Sequence, residues 1–119
     1  MELQILLSEE NAKHGIINLK NFIDKASIDG VHETEIEREP DEDGEMGVGD
    51  LLGSIKTIIE AAEKPLIELI RCLQKYVNNY RTQITIPTKN GKHIVLTHGR
   101  SMDAKELQEL VVAIQKSSE

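Results

Sequence analysis

Apolar residues change their period several times along this chain, and each change marks a predicted element. Leu3, Ile5 and Leu7 alternate with Glu2 and Gln4, with Leu6 as an extra apolar position. This predicts an opening strand largely covered on both faces and ended by Ser8. Over residues 11–26, Ile16, Leu19 and Ile23 fall three and then four apart, with Ile17 and Phe22 widening the stripe, so a short amphipathic helix is expected to pack on the sheet. Asp29-Gly30 closes that unit. Val31 to Arg38 reads as a second strand with thin apolar content, because Val31 and Ile36 take opposite faces at a period of two. Glu33, Glu35, Glu37 and Glu39 would then form an acidic row on one face. Such a strand belongs at an edge, where charge resists unwanted pairing.

Pro40 ends that strand, and residues 40–49 read as a loop with three glycines and several acids; the acidic, glycine-rich stretch as a whole spans 37–49. Next comes the longest regular signal. Leu52, Ile55, Ile59, Ala62, Leu66, Leu69, Leu73, Tyr76 and Tyr80 step by three and four in turn, which predicts one helix over 52–80 with a buried stripe that includes Leu69. Pro65 removes an N–H and crowds the preceding turn, so that helix should break or kink within 62–66, with Pro65 in the first turn of a second helix. Residues 82–87 and 92–97 flank Thr88-Lys89-Asn90-Gly91, and Asn-Gly between alternating runs predicts a hairpin. Asp103 and Glu106 have capping-box spacing ahead of a last helix through Leu107, Leu110, Val111 and Ile114 to about residue 116. The order strand, helix, strand, broken helix, strand, strand, helix predicts a single α+β domain over 1–119, two layers with helices on a four-stranded sheet.

The 119 residues suffice for a core without disulfides or metal. The only aromatic residues are Phe22, Tyr76 and Tyr80, so that core must be aliphatic. Scarce rings and the lack of a basic cluster argue against nucleic-acid binding. Eight carboxylates between Glu33 and Glu45 face the single base Arg38, a local charge of −7 that equals the formal net charge of the chain. A field so concentrated favours a basic protein partner. Cys72 is the single cysteine, which points to a reducing compartment; with no leader and no long apolar run, a soluble cytoplasmic protein is expected.

The chemistry of the acidic segment divides several ways. Gly44, Gly47, Gly49 and Gly53 have the wrong spacing for a phosphate loop, lack its Lys-Ser/Thr ending and carry Glu45 and Asp50 where an anion would sit. Asp41, Asp43 and Glu45 alternate like the start of a calcium loop, but its sixth and twelfth positions would be Met46 and Leu52. His14, His32, His93 and His98 form no zinc pattern, and Cys72 within a helix is a small apolar residue rather than a nucleophile. No cofactor and no catalytic set emerges, so the expectation is a protein that is not an enzyme. The rival is a small metal-dependent or hydrolytic enzyme that uses the acidic loop with His32 or His98.

Pro40-Asp41-Glu42-Asp43-Gly44-Glu45-Met46-Gly47, then an aliphatic run ending in Leu73-Gln74-Lys75-Tyr76 and Arg81, then a strand, an Asn-Gly turn and another strand, resembles the effector-associated constant component family of bacteria. The resemblance covers about residues 2–115 in element order, with Gly44 to Gly47 as its specific part. It implies a small non-catalytic component of a bacterial conflict, or antiviral defence, system: an adaptor between an effector, such as a peptidase or TIR-like protein, and a sensing NTPase. No catalytic residue is carried over. The partner-binding candidates are Asp41, Glu42, Asp43, Gly44, Glu45, Met46 and Gly47. Met46 would either fill a partner's pocket or fold back under the long helix. A homo-oligomer is left open.

Overall fold

In the computed structural model, which describes residues 1–8, 12–38, 51–89 and 93–117, the alternating Leu3, Ile5 and Leu7 form β1 (Glu2–Leu7), the middle strand of the sheet. The chain continues through α1 (Ala12–Ala26), β2 (Val31–Arg38), β3 (Leu51–Ile59), α2 (Glu63–Tyr80), β4 (Gln83–Pro87), β5 (His93–Thr97) and α3 (Ala104–Ser117). The five strands lie in the order β2-β3-β1-β4-β5 with every neighbouring pair antiparallel, and the three helices pack on the sheet to give a two-layer α+β domain.

One face of the sheet is dry. Leu3, Ile5 and Leu7 of β1, Ile55 and Ile59 of β3, Ile84 and Ile86 of β4, and Ile94 and Leu96 of β5 are buried beneath Ile16, Leu19 and Ile23 of α1, Leu66, Leu69, Leu73 and Val77 of α2, and Val111 and Ile114 of α3. Tyr76 is the large aromatic residue within this aliphatic core. Its hydroxyl donates to the Gly15 carbonyl at 3.2 Å, and its ring meets Phe22 edge-on at 5.4 Å. The other face carries Glu2, Gln4 and Lys56, tied by the Lys56–Glu2 ion pair at 2.8 Å.

The expected long helix over 52–80 is corrected in its first half: Leu51–Ile59 is a strand, so the sheet has five strands rather than four. A four-residue step, such as Ile55 to Ile59, keeps a side chain on one face at either period, and there the pattern is ambiguous. Composition decides. Ile55, Thr57, Ile58 and Ile59 are β-branched and stiff at χ1, and Gly53 and Ser54 weaken a helix in front of them. Gly53 also adopts φ 71°, within the register shift between Ile36↔Ile55 and Arg38↔Leu51. The expected break within 62–66 is present, and Pro65 stands in the first turn of the helix that follows it, as expected. It is the third residue of α2, after Glu63 and Lys64, where a missing N–H leaves no intrahelical bond unmade.

A second shift corrects the parity of β2. Val31 pairs with Ile59 but Glu33 pairs with Ile58, and the irregularity between them lets Val31 and Ile36 both pack against the core. The expected edge position holds. Across the sheet, the β1–β4 ladder is only two pairs long, Leu6↔Thr85 and Leu7↔Ile84, extended by the Ser8 N–H to the Gln83 carbonyl at 2.8 Å. In the continuing register Pro87 would face Gln4, and it has no N–H to give. The expected hairpin is present as β4 and β5; residues 90–92 of its turn lie outside the described residues. At α3, Asp103 Oδ1 accepts the Glu106 N–H at 2.8 Å, so the cap forms as expected.

Gly30 sits at φ +97°, and a Cβ there would lie 2.6 Å from Cγ of Pro65. Gly30→Ala should therefore cost more than about 2 kcal/mol, combining backbone strain with a clash. Gly99→Ala, at φ +82° with open space around it, should cost about 1 kcal/mol from strain alone. Chemical denaturation of the two variants measures the difference. Leu69→Ala should cost about 2 to 5 kcal/mol, as for a fully buried leucine; a loss below about 1 kcal/mol would contradict the packing described.

Candidate interaction surface

Because Thr34 and Ile36 of β2 pair with Thr57 and Ile55 toward the helices, Glu33, Glu35 and Glu37 turn to the open face of the sheet. Three carboxylates of one sign thus stand two residues apart along an edge strand. Glu33 and Glu35 are exposed, while Glu37 is half-buried and accepts a hydrogen bond from Gln4 Nε2 at 2.9 Å. From the helix side the strand is pinned at Thr34, whose hydroxyl donates to Asp24 Oδ1 on α1. Lys20, one turn earlier on α1, donates to the same carboxylate at 2.6 Å. Partial burial pushes the Asp24 carboxyl up, but the hydrogen bonds from Lys20 and Thr34 and the lysine charge together outweigh it, and its pKa is lowered.

The sequence candidates Asp41, Glu42, Asp43, Gly44, Glu45, Met46 and Gly47 lie outside the described residues, as does Glu39, and so do both readings of Met46. Arg38 pairs with Leu51, so the two ends of that segment lie side by side and it joins one strand to the next rather than a strand to a helix. The histidines do not converge. His32 is on β2, 3.6 Å from Glu60, whereas His93 is on β5 at the opposite edge, about 19 Å away at ordinary strand spacing, and His98 follows it in an exposed turn. Among the described residues no group of three or more His, Cys, Asp or Glu is placed to hold a metal ion.

At the other edge, β5 carries no Asp, Glu, Lys or Arg, yet its backbone is occupied. The Val95 carbonyl accepts Arg100 Nη1 at 2.8 Å, and the Thr97 carbonyl accepts Gln74 Nε2 at 2.9 Å and the Arg100 N–H at 3.2 Å. An added strand would have to displace these donors. Between α1 and α2 lies a groove that sequence reasoning missed, floored by Phe22 and Cys72 and bordered by Lys25, Arg71 and Lys75. The i,i+4 spacing of Arg71 and Lys75 signals their shared exposed face, but nothing local says that Lys25 stands opposite. Burial pushes the Cys72 thiol up, against the weaker opposing pull of Lys75, so the thiolate is disfavoured there.

No described helix is long and apolar enough to cross a membrane. The lowered pKa of Asp24 means that its contribution is fully present above its ordinary value of 3.8 and is lost as pH falls through the folded value. Asp24→Asn should accordingly reduce stability at neutral pH by up to about 1 kcal/mol, the range for a solvent-screened contact, and the gap to the wild type should close on acidification. Melting curves over an acid pH series check this. Comparison with known proteins returns no matching family model, no matching curated protein and no matching solved structure.

Proposed function

We propose that this chain is a non-catalytic adaptor that docks a basic surface of a protein partner along its acidic edge. The observation that carries this reading is the row Glu33, Glu35 and Glu37 on the open face of an edge strand, leading directly into the carboxylates of residues 39–45. Charge on such an edge repels strand addition and steers a cationic partner from a distance, with a reach of about 8 Å at physiological ionic strength. The tetrapeptide Gly44-Glu45-Met46-Gly47 supports a narrower version, in which the partners are an effector such as a peptidase or TIR-like protein and a sensing NTPase of a bacterial antiviral defence system, acting in the cytoplasm.

The test is the association rate with a basic protein partner, which in the narrower version is an effector or a sensing NTPase of the same system. Replacing Glu33, Glu35 and Glu37 with Gln should slow association roughly tenfold at low salt, with a smaller effect at high salt, because steering acts on encounter more than on residence. Melting temperature should hold or rise, since removing neighbouring like charges relieves repulsion. Asp41→Asn with Glu42→Gln and Asp43→Asn should act in the same direction. Unchanged rates at low salt for both sets of variants, with the fold intact, would remove the acidic edge as the docking surface.

A further inference from the structure

The groove between α1 and α2 has the opposite sign to the acidic edge. Lys25 near the end of α1, and Arg71 and Lys75 one turn apart on α2, border a space of about 710 Å³ over the apolar floor of Phe22 and Cys72. No ion pair joins any of these three cations to another described residue, in contrast to Lys20, Lys56 and Arg100, each of which has a carboxylate partner. Asp29 and Glu68 also line the groove, and the cations outnumber them. An apolar floor beneath a basic rim fits an occupant that brings carboxylates beside an apolar side chain.

The chain itself carries such a surface. Ile58 of β3 pairs with Glu33 and Lys56 with Glu35, so a half-buried isoleucine lies beside the acidic row on the open face. We propose that the groove receives this surface from a second copy of the chain, with Glu33, Glu35 and Glu37 meeting Lys25, Arg71 and Lys75 while Ile58 covers the floor. The contact must form between copies. In a two-layer domain the register turns the acidic row away from the helices, so one molecule cannot fold its own edge into its own groove. Row and groove are different patches, which makes the association head to tail and open to further copies. It shares the acidic row with the adaptor reading, and a basic partner and a second copy would compete for the same carboxylates.

Sedimentation velocity of the full chain over a wide concentration range, at low and high salt, reads the association directly. Growth with concentration that weakens with salt is expected. K25E/R71E/K75E and E33K/E35K/E37K should each weaken it by at least roughly tenfold while keeping their circular dichroism spectrum, and mixing the two variants should restore it because each supplies what the other lost. Alkylation of Cys72 should slow as the wild type associates and keep its monomer rate in either variant alone. A chain that stays monomeric at low salt overturns the proposal, as does association that survives K25E/R71E/K75E or a mixture that fails to complement. The groove variant should still bind an oligolysine peptide, and E33K/E35K/E37K should bind it more weakly. Loss of self-association with oligolysine binding retained therefore separates this contact from the adaptor surface, whereas oligolysine binding that survives E33K/E35K/E37K combined with D41N/E42Q/D43N would sink the adaptor reading alone.

Discussion

The sheet of this domain has one dry face, and that constraint sets where every side chain on it can point. Strand side chains alternate, so a slip of one residue in β2 would carry Glu33, Glu35 and Glu37 beneath α1, where three carboxylates would lose water beside Asp24, a group of the same sign. Burial of Ile55 and Ile59 by the helices therefore holds the acidic row outside as firmly as any polar contact does. The irregularity after Val31 belongs to the same constraint, since it recovers Val31 for the core without disturbing the three glutamates that follow.

Much of this was legible in the chain because the deciding signals were local. The stripe of α1, the Asp103 cap of α3, and the Asn-Gly turn between two alternating runs each specify an element within a few residues. Leu51–Ile59 was misread for an equally physical reason: steps of four are even, and Ile55 and Ile59 satisfy both a helix and a strand. The β-branched content of that segment and its Gly53-Ser54 pair were the better guide, and they outweigh a count of apolar spacings. Pro65 is legible as a start signal whether a helix or a strand precedes it. The groove was illegible because it is made by distance: Lys25 and Arg71 are far apart in the chain and meet only when α1 and α2 lie on the same sheet.

The two edges of the sheet are defended by different means. On β2 the defence is written into the strand as charge. On β5 it is borrowed from elsewhere, with Arg100 and Gln74 donating to carbonyls that an incoming strand would need. The first device leaves its groups free to act at a distance, and the second consumes them. Only the charged edge can both refuse a strand and attract a protein.

Pro87 adds a consequence of another kind. By ending the β1–β4 ladder after two pairs, it divides the sheet into a broad block of β2, β3 and β1 and a narrow hairpin of β4 and β5, held together there mostly by side-chain packing under α2. Apolar contact resists separation along its normal but has little of the directional stiffness of a hydrogen-bonded ladder. Fewer ladder pairs cross this seam than any other in the sheet, so opening the domain there should break the fewest backbone hydrogen bonds.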